Sequence, residues 1–375
     1  MVFIIPESFM RLNPTICAVG KDYQIMIMAD TEALYSIRVG EKMFYYHSNG
    51  IRISSPGMHR FTIPQEVLNK AKEYTVIEEI MIERAPYFPK TEPPREKKYH
   101  FFPVEKTENI KIYHISDVHG ARDKAINAIR FFKDRPDLFV INGDISNDSS
   151  TFCNTTLCYE IASEVAKGEI PCTISRGNHD LRGKWAQELE NIIPVKNGKS
   201  YYTFRIGCIW GILIDAGEDK NDFSVEYGQV ISCHPFRLEQ SEWLEEVIEN
   251  AENEYAEEGV KYKLVISHIP FTFKKQAPLF DIERELYSKW GKQIKESIKP
   301  SFMLCGHMHR ATISEPGSEM DDLGNPCTVV IGSALKRAEN EDVTFTGSLI
   351  IINKNHADII FNTENGIIAE HTIEI

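Results

Sequence analysis

Five short motifs in this sequence carry side chains that can bind metal ions. They are Asp117-Val118-His119, Gly143-Asp144, Gly177-Asn178-His179-Asp180, the isolated His268 and Gly306-His307-Met308-His309. Each motif follows an apolar run with the length of a buried strand. Side chains at the carboxyl ends of strands form the sites of open α/β sheets. We therefore expect the five motifs to meet at one place.

The side-chain types in these motifs limit the metals that could bind. Imidazole, carboxylate and amide oxygen, without a thiolate, suit Mn, Fe, Zn or Co better than an iron–sulfur cluster. Taken singly, a histidine at a strand end is more often an ordinary polar residue, and an aspartate there more often caps a turn or helix. All five motifs follow predicted strands, however, so we interpret them together as one metal site.

The motif order D-x-H, G-D, G-N-H-D, H and G-H-x-H resembles the signature of the calcineurin-like metallophosphoesterase superfamily. The resemblance covers about residues 110–335 and implies a four-layer α-β-β-α sandwich with two divalent metal ions. It implies that the first ion is bound by Asp117, His119, Asp144 and His309, and the second by Asp144, Asn178, His268 and His307. Asp144 would bridge the ions, as a short carboxylate can between ions roughly 3.5–4 Å apart.

The resemblance also implies an activity, the metal-dependent hydrolysis of phosphoric esters by a hydroxide that bridges the ions. We predict a small phosphodiester or nucleotide as substrate, because the D-x-H form is frequent among diesterase-like members. Two alternatives stay open. One is a phosphomonoesterase or protein phosphatase with the same motifs. The other is a non-catalytic scaffold that binds metal, although scaffolds of this kind usually lose ligands and this chain keeps all seven.

Four residues within or beside the third motif could act on the substrate. In the superfamily the histidine at the position of His179 faces the phosphate, so we predict that His179 protonates the leaving group and that Asp180 orients it. The alternative is a purely structural histidine. Arg176 and Arg182 flank the motif, and a guanidinium can bind phosphate through two hydrogen bonds. Either arginine could instead balance the charge of neighbouring acids.

The N-terminal part of the chain has a different pattern. Short extended stretches alternate with turns up to about residue 85, which predicts a small all-β sandwich. It resembles a fibronectin type III or immunoglobulin-like module, with Tyr74 in a corner position. Four prolines between residues 85 and 100 indicate a connecting segment. We therefore predict an N-terminal domain over residues 1–100 and a phosphoesterase domain over residues 108–375.

A sandwich in front of a phosphoesterase domain resembles the layout of purple acid phosphatases. Those enzymes have D-x-G at the first motif and a ligating tyrosine three residues after the bridging aspartate. Here the two positions hold His119 and Asn147. We therefore expect the layout to be shared and the ferric–tyrosinate chemistry to be absent.

The pattern after Ile110 alternates strands with helices, which predicts two sheets covered by helices. The predicted helices cover residues 121–132, 154–167, 182–192, 238–257 and 283–298. The polar end of the stretch Leu213–Lys220 could overhang the site and influence specificity, but a solvated turn is the simpler prediction.

Charge and composition exclude several classes of function. Residues 1–105 hold equal numbers of acidic and basic side chains, so the net charge of −13 lies on the part that carries the motifs. An acidic surface repels nucleic acid, and we expect a small phosphorylated substrate. No apolar run reaches the roughly 18–20 residues of a membrane span, and the first residues lack signal-peptide features. The eight cysteines include no CxxC, so we predict reduced thiols and a cytoplasmic protein of undetermined oligomeric state.

Overall fold

The computed structural model describes residues 10–273, 278–337 and 343–375. The strands before residue 105 are β1 (Thr15–Val19), β2 (Asp22–Ala29), β3 (Ala33–Val39), β4 (Lys42–Tyr45), β5 (His47–Ser48), β6 (Ile51–Arg52), β7 (Gly57–Pro64), β8 (Glu73–Glu83), β9 (Lys90–Thr91) and β10 (Arg95–His100). The later strands are β11 (Ile110–Ile115), β12 (Leu138–Asn142), β13 (Pro171–Ser175), β14 (Tyr202–Ile206), β15 (Ile209–Ile214), β16 (Tyr262–Ser267), β17 (Phe302–Cys305), β18 (Arg310–Ser314), β19 (Val329–Arg337), β20 (Val343–Ile352), β21 (His356–Thr363) and β22 (Gly366–Glu374). The α-helices are α1 (Gln65–Ala71), α2 (Arg122–Arg130), α3 (Phe152–Val165), α4 (Leu189–Ile192), α5 (Cys233–Glu249) and α6 (Arg284–Gln293).

Alternating side chains along the central strands produce four layers. In β11, Ile112 faces a core between two sheet layers, whereas its neighbour Tyr113 packs with α2 and α3. In β15, Leu213 faces the same inner core, whereas Ile212 packs with α5 and α6. Successive side chains of a strand point to opposite faces, so these strands are covered on both sides and need continuous apolar runs. The predicted four-layer α-β-β-α sandwich is confirmed.

The direction of the strands places all five motifs at one edge. Strands β11, β12 and β13 pair in parallel, as do β15, β16 and β17. Strand β17 pairs in parallel with β19, β19 pairs antiparallel with β20, and β20 pairs antiparallel with β11. The direction is reversed twice between β19 and β11. The two groups therefore run in the same direction, and their carboxyl ends lie on the same side of the sandwich.

Three N-terminal strands extend this large sheet. Strand β1 pairs in parallel with β13, with Cys17 opposite Cys172, and β2 and β7 continue the sheet outward. A second sheet, in the order β10-β8-β3-β4, shares the inner core. The corner residue Tyr74 donates from its hydroxyl to the Gly168 carbonyl at 2.9 Å. An N-terminal β-sheet region is confirmed, with the short helix α1 within it. The division into domains 1–100 and 108–375 stays a prediction, and one sheet runs through both parts.

The proline-rich stretch between residues 85 and 100 is only partly a connector. Its charged end forms strand β10, which pairs with β8 along its whole length. Ion pairs join the two strands, between Arg95 and Glu78 and between Lys98 and Glu73. Opposite charges on facing strands stabilise an antiparallel pair. Strand β10 lies at the edge of its sheet, so its other charged side chains can face solvent.

Two predicted helices have different bounds in the structure. Residues 182–192 form a short 3₁₀ turn, Lys184–Glu188, followed by α4, because Trp185 N donates to the Ser149 carbonyl of the neighbouring loop at 2.8 Å. Helix α5 begins five residues earlier than predicted, since the Asp222 carboxylate accepts hydrogen bonds from the first two main-chain N–H groups of the helix. It also ends earlier than predicted, at Glu249, and a 3₁₀ turn follows at Ala251–Asn253.

The described residues contain no helix long and apolar enough to cross a membrane. All eight cysteines are unpaired, as predicted, and most are buried in the core.

A buried amide joins the two sheet layers beneath the motifs. The side chain of Asn142, at the end of β12, donates from Nδ2 to the carbonyls of Ser267 (3.3 Å) and Leu304 (3.2 Å) and accepts from Ser175 Oγ at 2.7 Å. One side chain thereby links the carboxyl ends of β12, β13, β16 and β17. These ends carry four of the five motifs.

We predict that Asn142→Ala lowers the free energy of unfolding by about 1–3 kcal/mol, because it leaves buried carbonyls without their donor. Chemical denaturation measures the change. The matched control is Asn355→Ala, at an exposed position, with an expected effect within about 0.5 kcal/mol. Equal stability of Asn142→Ala and the wild type would contradict the linking role.

Candidate metal centre

The tertiary structure brings together the side chains that the sequence singled out. Their ligand atoms form two groups, and within each group these atoms lie within 4.8 Å of one another. The groups are Asp117, His119 and His309, and Asp144, His268 and His307. Asn178 joins the second group, because its Oδ1 lies 3.0 Å from His307 Nδ1. All seven predicted metal-binding residues therefore converge.

The first group has the geometry of ligands around a cation. His119 Nε2 and His309 Nε2 lie 3.1 Å apart, and His309 Nε2 lies 3.6 Å from Asp117 Oδ1. Metal–nitrogen bonds of about 2.0–2.1 Å place two nitrogens of one ion about 3 Å apart. The donor atoms of this group fit a divalent ion.

The second group has the same property. The carbonyl oxygen of Asn178 faces only acceptor atoms, an arrangement that a cation between them would stabilise. His268 donates from Nδ1 to the main-chain carbonyl of Asn142 at 2.7 Å, so its Nε2 points to Asp144 Oδ2, 3.1 Å away. A carbonyl behind a metal-binding histidine fixes the tautomer that leaves the inner nitrogen free.

Asp144 lies between the two groups. Its Oδ2 faces His268 of the second group, while its main-chain carbonyl accepts a hydrogen bond from His119 N of the first group at 3.1 Å. His268 Nε2 also lies 3.9 Å from Asp117 Oδ1. The two groups are therefore adjacent, and the position of Asp144 suits a bridging carboxylate.

The backbone at the centre is strained. Five of the seven residues have left-handed φ angles: Asp117 (51°), His119 (45°), Asp144 (53°), His307 (67°) and His309 (48°). Such angles are uncommon outside glycine. Each costs on the order of 1–3 kcal/mol, and strain of this kind clusters at functional sites. The motifs gave no sign of it, since only glycines were expected to take these angles.

The charges of the site favour a bound cation. Burial would lower the pKa of the His268 imidazole, but the carboxylates of Asp144 and Asp117 outweigh it and raise that pKa to about 10. Burial lowers the pKa of His119 and of His307 to about 4. These two imidazoles are therefore neutral near pH 7, which is the form that binds metal.

His179 lies beside the first group and is oriented differently from the prediction. Its ring centroid is 4.9 Å from that of His119, and its Nδ1 lies 2.8 Å from the Asn147 carbonyl, to which it can donate. The Asp180 carboxylate instead accepts from the main-chain N–H groups of Gly177 (2.7 Å) and Asp144 (3.1 Å). Asp180 therefore holds the loop around Asp144, and the prediction that it orients His179 is wrong.

The two flanking arginines occupy different environments. Arg182 Nη1 lies 3.5 Å from His179 Nε2, and the Glu218 carboxylate holds its other nitrogens at 2.7 and 2.9 Å. The Arg176 guanidinium pairs with Asp215 and lies over the Phe236 ring. Arg182 is thus placed beside the site, whereas Arg176 acts as a counter-charge.

The loop after β15 borders the second group, and the prediction of a solvated turn is wrong. Glu218 is fully buried, and Asp219 Oδ2 lies 3.8 Å from His307 Nε2. The Tyr227 hydroxyl donates to both carboxylates, at 2.8 and 3.0 Å. The sequence suggested that this loop could overhang the site, but nothing in it pointed to Tyr227.

Comparisons with known proteins agree with this geometry. The sequence profile described as calcineurin-like phosphoesterase matches residues 110–311, more than half of the chain. The chain belongs to the calcineurin-like phosphoesterase family. A search of curated proteins gives no significant match.

Two solved structures share the fold of this phosphoesterase at low sequence identity. The purple acid phosphatase PPD1 from yellow lupin (Lupinus luteus) seeds has 13% identity and a TM-score of 0.58, with 96% of this chain and 74% of that chain covered. PhoD has 12% identity and a TM-score of 0.52, with 98% and 90% covered. These two likenesses concern the fold. As a member of the calcineurin-like phosphoesterase family, the protein is a metal-dependent phosphoric ester hydrolase.

We predict that Gly177→Ala prevents metal binding in this phosphoesterase. A Cβ atom at this position would lie 2.3 Å from Asp144 Oδ1 and 2.8 Å from His268 Cδ2, so both side chains would have to move. Elemental analysis after loading with Mn²⁺ measures the result. The control is Gly317→Ala, where a Cβ atom meets nothing within 4 Å; it should bind as much metal as the wild type. Two ions per chain in Gly177→Ala would contradict the prediction.

Proposed function

We propose that the protein hydrolyses a small phosphodiester or nucleotide at a dinuclear centre of Mn, Fe, Zn or Co. The observation that carries this proposal is the pair of adjacent ligand groups with Asp144 between them and His179 at their edge. Two divalent ions held there would activate water and stabilise charge on the phosphoryl oxygens. A cytoplasmic location remains part of the proposal, supported by the unpaired cysteines.

The residues of the chain supply the remaining steps. His179 lies with Nε2 free of carboxylate partners, so its protonated form can give a proton to the leaving oxygen while Nδ1 stays bonded to the Asn147 carbonyl. Arg182, held by Glu218, can donate from Nη1 to a phosphoryl oxygen. The two groups lie next to each other, so one substrate phosphate can contact both.

Charge near Arg182 favours diesters over monoesters. Glu218, Asp219 and Glu226 lie around the cations Arg182 and Lys220, so this wall carries one net negative charge. A phosphomonoester dianion is repelled more strongly by it than a diester monoanion. A phosphomonoesterase or protein phosphatase remains the second candidate, because the same ligand groups serve both reactions.

The test is turnover by Mn-loaded protein of bis-p-nitrophenyl phosphate and p-nitrophenyl phosphate. We expect a higher kcat/KM for the diester. A higher value for the monoester would favour the second candidate. Turnover of neither substrate with two ions bound would favour a metal-binding scaffold.

Two substitutions should separate ligation from proton transfer. Asp144→Asn should remove both ions and nearly all activity. His179→Ala should keep two ions and lower kcat by roughly 10²–10⁴, the usual loss for a general acid. The control is His100→Ala, at an exposed position of β10, with unchanged kcat. Equal loss of metal in Asp144→Asn and His179→Ala would contradict the role given to His179.

A further inference from the structure

The second imidazole nitrogen of His307 faces a carboxylate from outside the metal motifs. His307 Nδ1 lies toward Asn178 in the second ligand group, while Nε2 lies 3.8 Å from Asp219 Oδ2. A metal-binding histidine usually directs its outer N–H to a carboxylate or carbonyl, which fixes the ring and makes the inner nitrogen more basic. His268 has such a partner in the Asn142 carbonyl, and Asp219 occupies the corresponding place behind His307.

Among the described residues, the other neighbours of Asp219 contact its Oδ1, and its Oδ2 faces His307. Its Oδ1 accepts a hydrogen bond from the Tyr227 hydroxyl at 3.0 Å and lies 3.5 Å from Lys220 Nζ and 3.8 Å from Arg182 Nη2. Its Oδ2 is the oxygen nearest to His307. The side chain is largely buried, so this orientation is held by packing as well as by the hydrogen bond.

The loop that carries Asp219 is fixed to helix α5. The buried guanidinium of Arg237 donates to the main-chain carbonyls of Ala216 (2.8 Å) and Glu218 (2.5 Å). Glu283 holds the same guanidinium at 3.0 Å from its Nη1. A loop anchored in this way can hold a carboxylate at a fixed distance from a histidine of another loop.

We propose that Asp219 is a positioning residue for the second metal ion, acting through His307. The inference rests on the dinuclear centre of the proposed function, but it concerns ion affinity and not substrate. The carboxylate holds His307 in the tautomer whose Nδ1 is free and keeps the ring directed at Asn178 and Asp144. Loss of an outer partner of this kind costs typically 10–100-fold in metal affinity.

The test is a direct titration of metal-free protein with Mn²⁺, in which free Mn²⁺ is measured by electron paramagnetic resonance. The wild type should bind two ions per chain. Asp219→Asn should bind one ion as the wild type does and the other 10–100-fold more weakly, and Asp219→Glu should restore part of the loss. The readout does not depend on turnover, so it is separate from the test of the proposed reaction.

The matched control is Glu226→Gln. This substitution removes the same charge from the same loop, but Glu226 pairs with Lys220 and Arg182 and has no contact with His307. It should leave both affinities within twofold of the wild type. Equal weakening by Glu226→Gln would show an effect of charge alone and would overturn the inference, as would wild-type binding of both ions by Asp219→Asn.

Tyr227→Phe provides a second test if Asp219→Asn lowers the Tm of the metal-free protein. It removes the hydroxyl that bonds to Asp219 Oδ1 and also to Glu218, which faces Arg182 and not His307. A smaller loss confined to the same ion supports the positioning role. Unchanged affinity for both ions overturns it.

Discussion

The burial of two carboxylates at the strand ends is the constraint on which the site depends. Asp117 and Asp144 have almost no solvent exposure, and burial of unpaired charge costs several kcal/mol. In the protein alone, His268 partly compensates by keeping a proton, as its raised pKa shows. Divalent ions would compensate more fully, because each brings two positive charges to a place where donor atoms already surround it.

Hydrogen bonds to the main chain around the site hold the strained backbone in place. Five residues in left-handed conformations would cost too much in an ordinary loop, and they persist only because the surroundings fix them. The Asp180 carboxylate and the Asn142 amide contribute to this by bonding to the main chain around the site. Rigidity at the strand ends is the condition under which seven side chains can converge.

The loop after β15 contacts both a candidate metal ligand and an arginine that is proposed to bind the substrate. Glu218 holds Arg182, which lies beside His179, and the neighbouring Asp219 faces His307. Consecutive residues of one loop therefore contact Arg182 and face His307. Arg237 of helix α5 anchors this loop, so the positions of Glu218 and Asp219 depend on that helix.

The sequence by itself predicted the layers and the side chains that converge at one edge. Continuous apolar runs predicted doubly covered strands, and the motif at the end of each run predicted where its side chains would meet, because parallel strands end at one edge. These are local patterns, and their consequences follow from the geometry of a strand. The charged stretch 95–100 and the short turn after Gly183 were misread, since their structure depends on ion pairs and hydrogen bonds with distant residues.

Only the tertiary structure decided which groups orient the ligands. The pairing of His179 with the Asn147 carbonyl, the hydrogen bond from Asp144 N to the Asp180 carboxylate and the approach of Asp219 to His307 all join loops that are distant in the sequence. So does the pairing of β1 with β13, which merges the N-terminal strands into the large sheet. Contacts of this kind leave no periodic pattern, because they depend on where the folded sheets bring each loop.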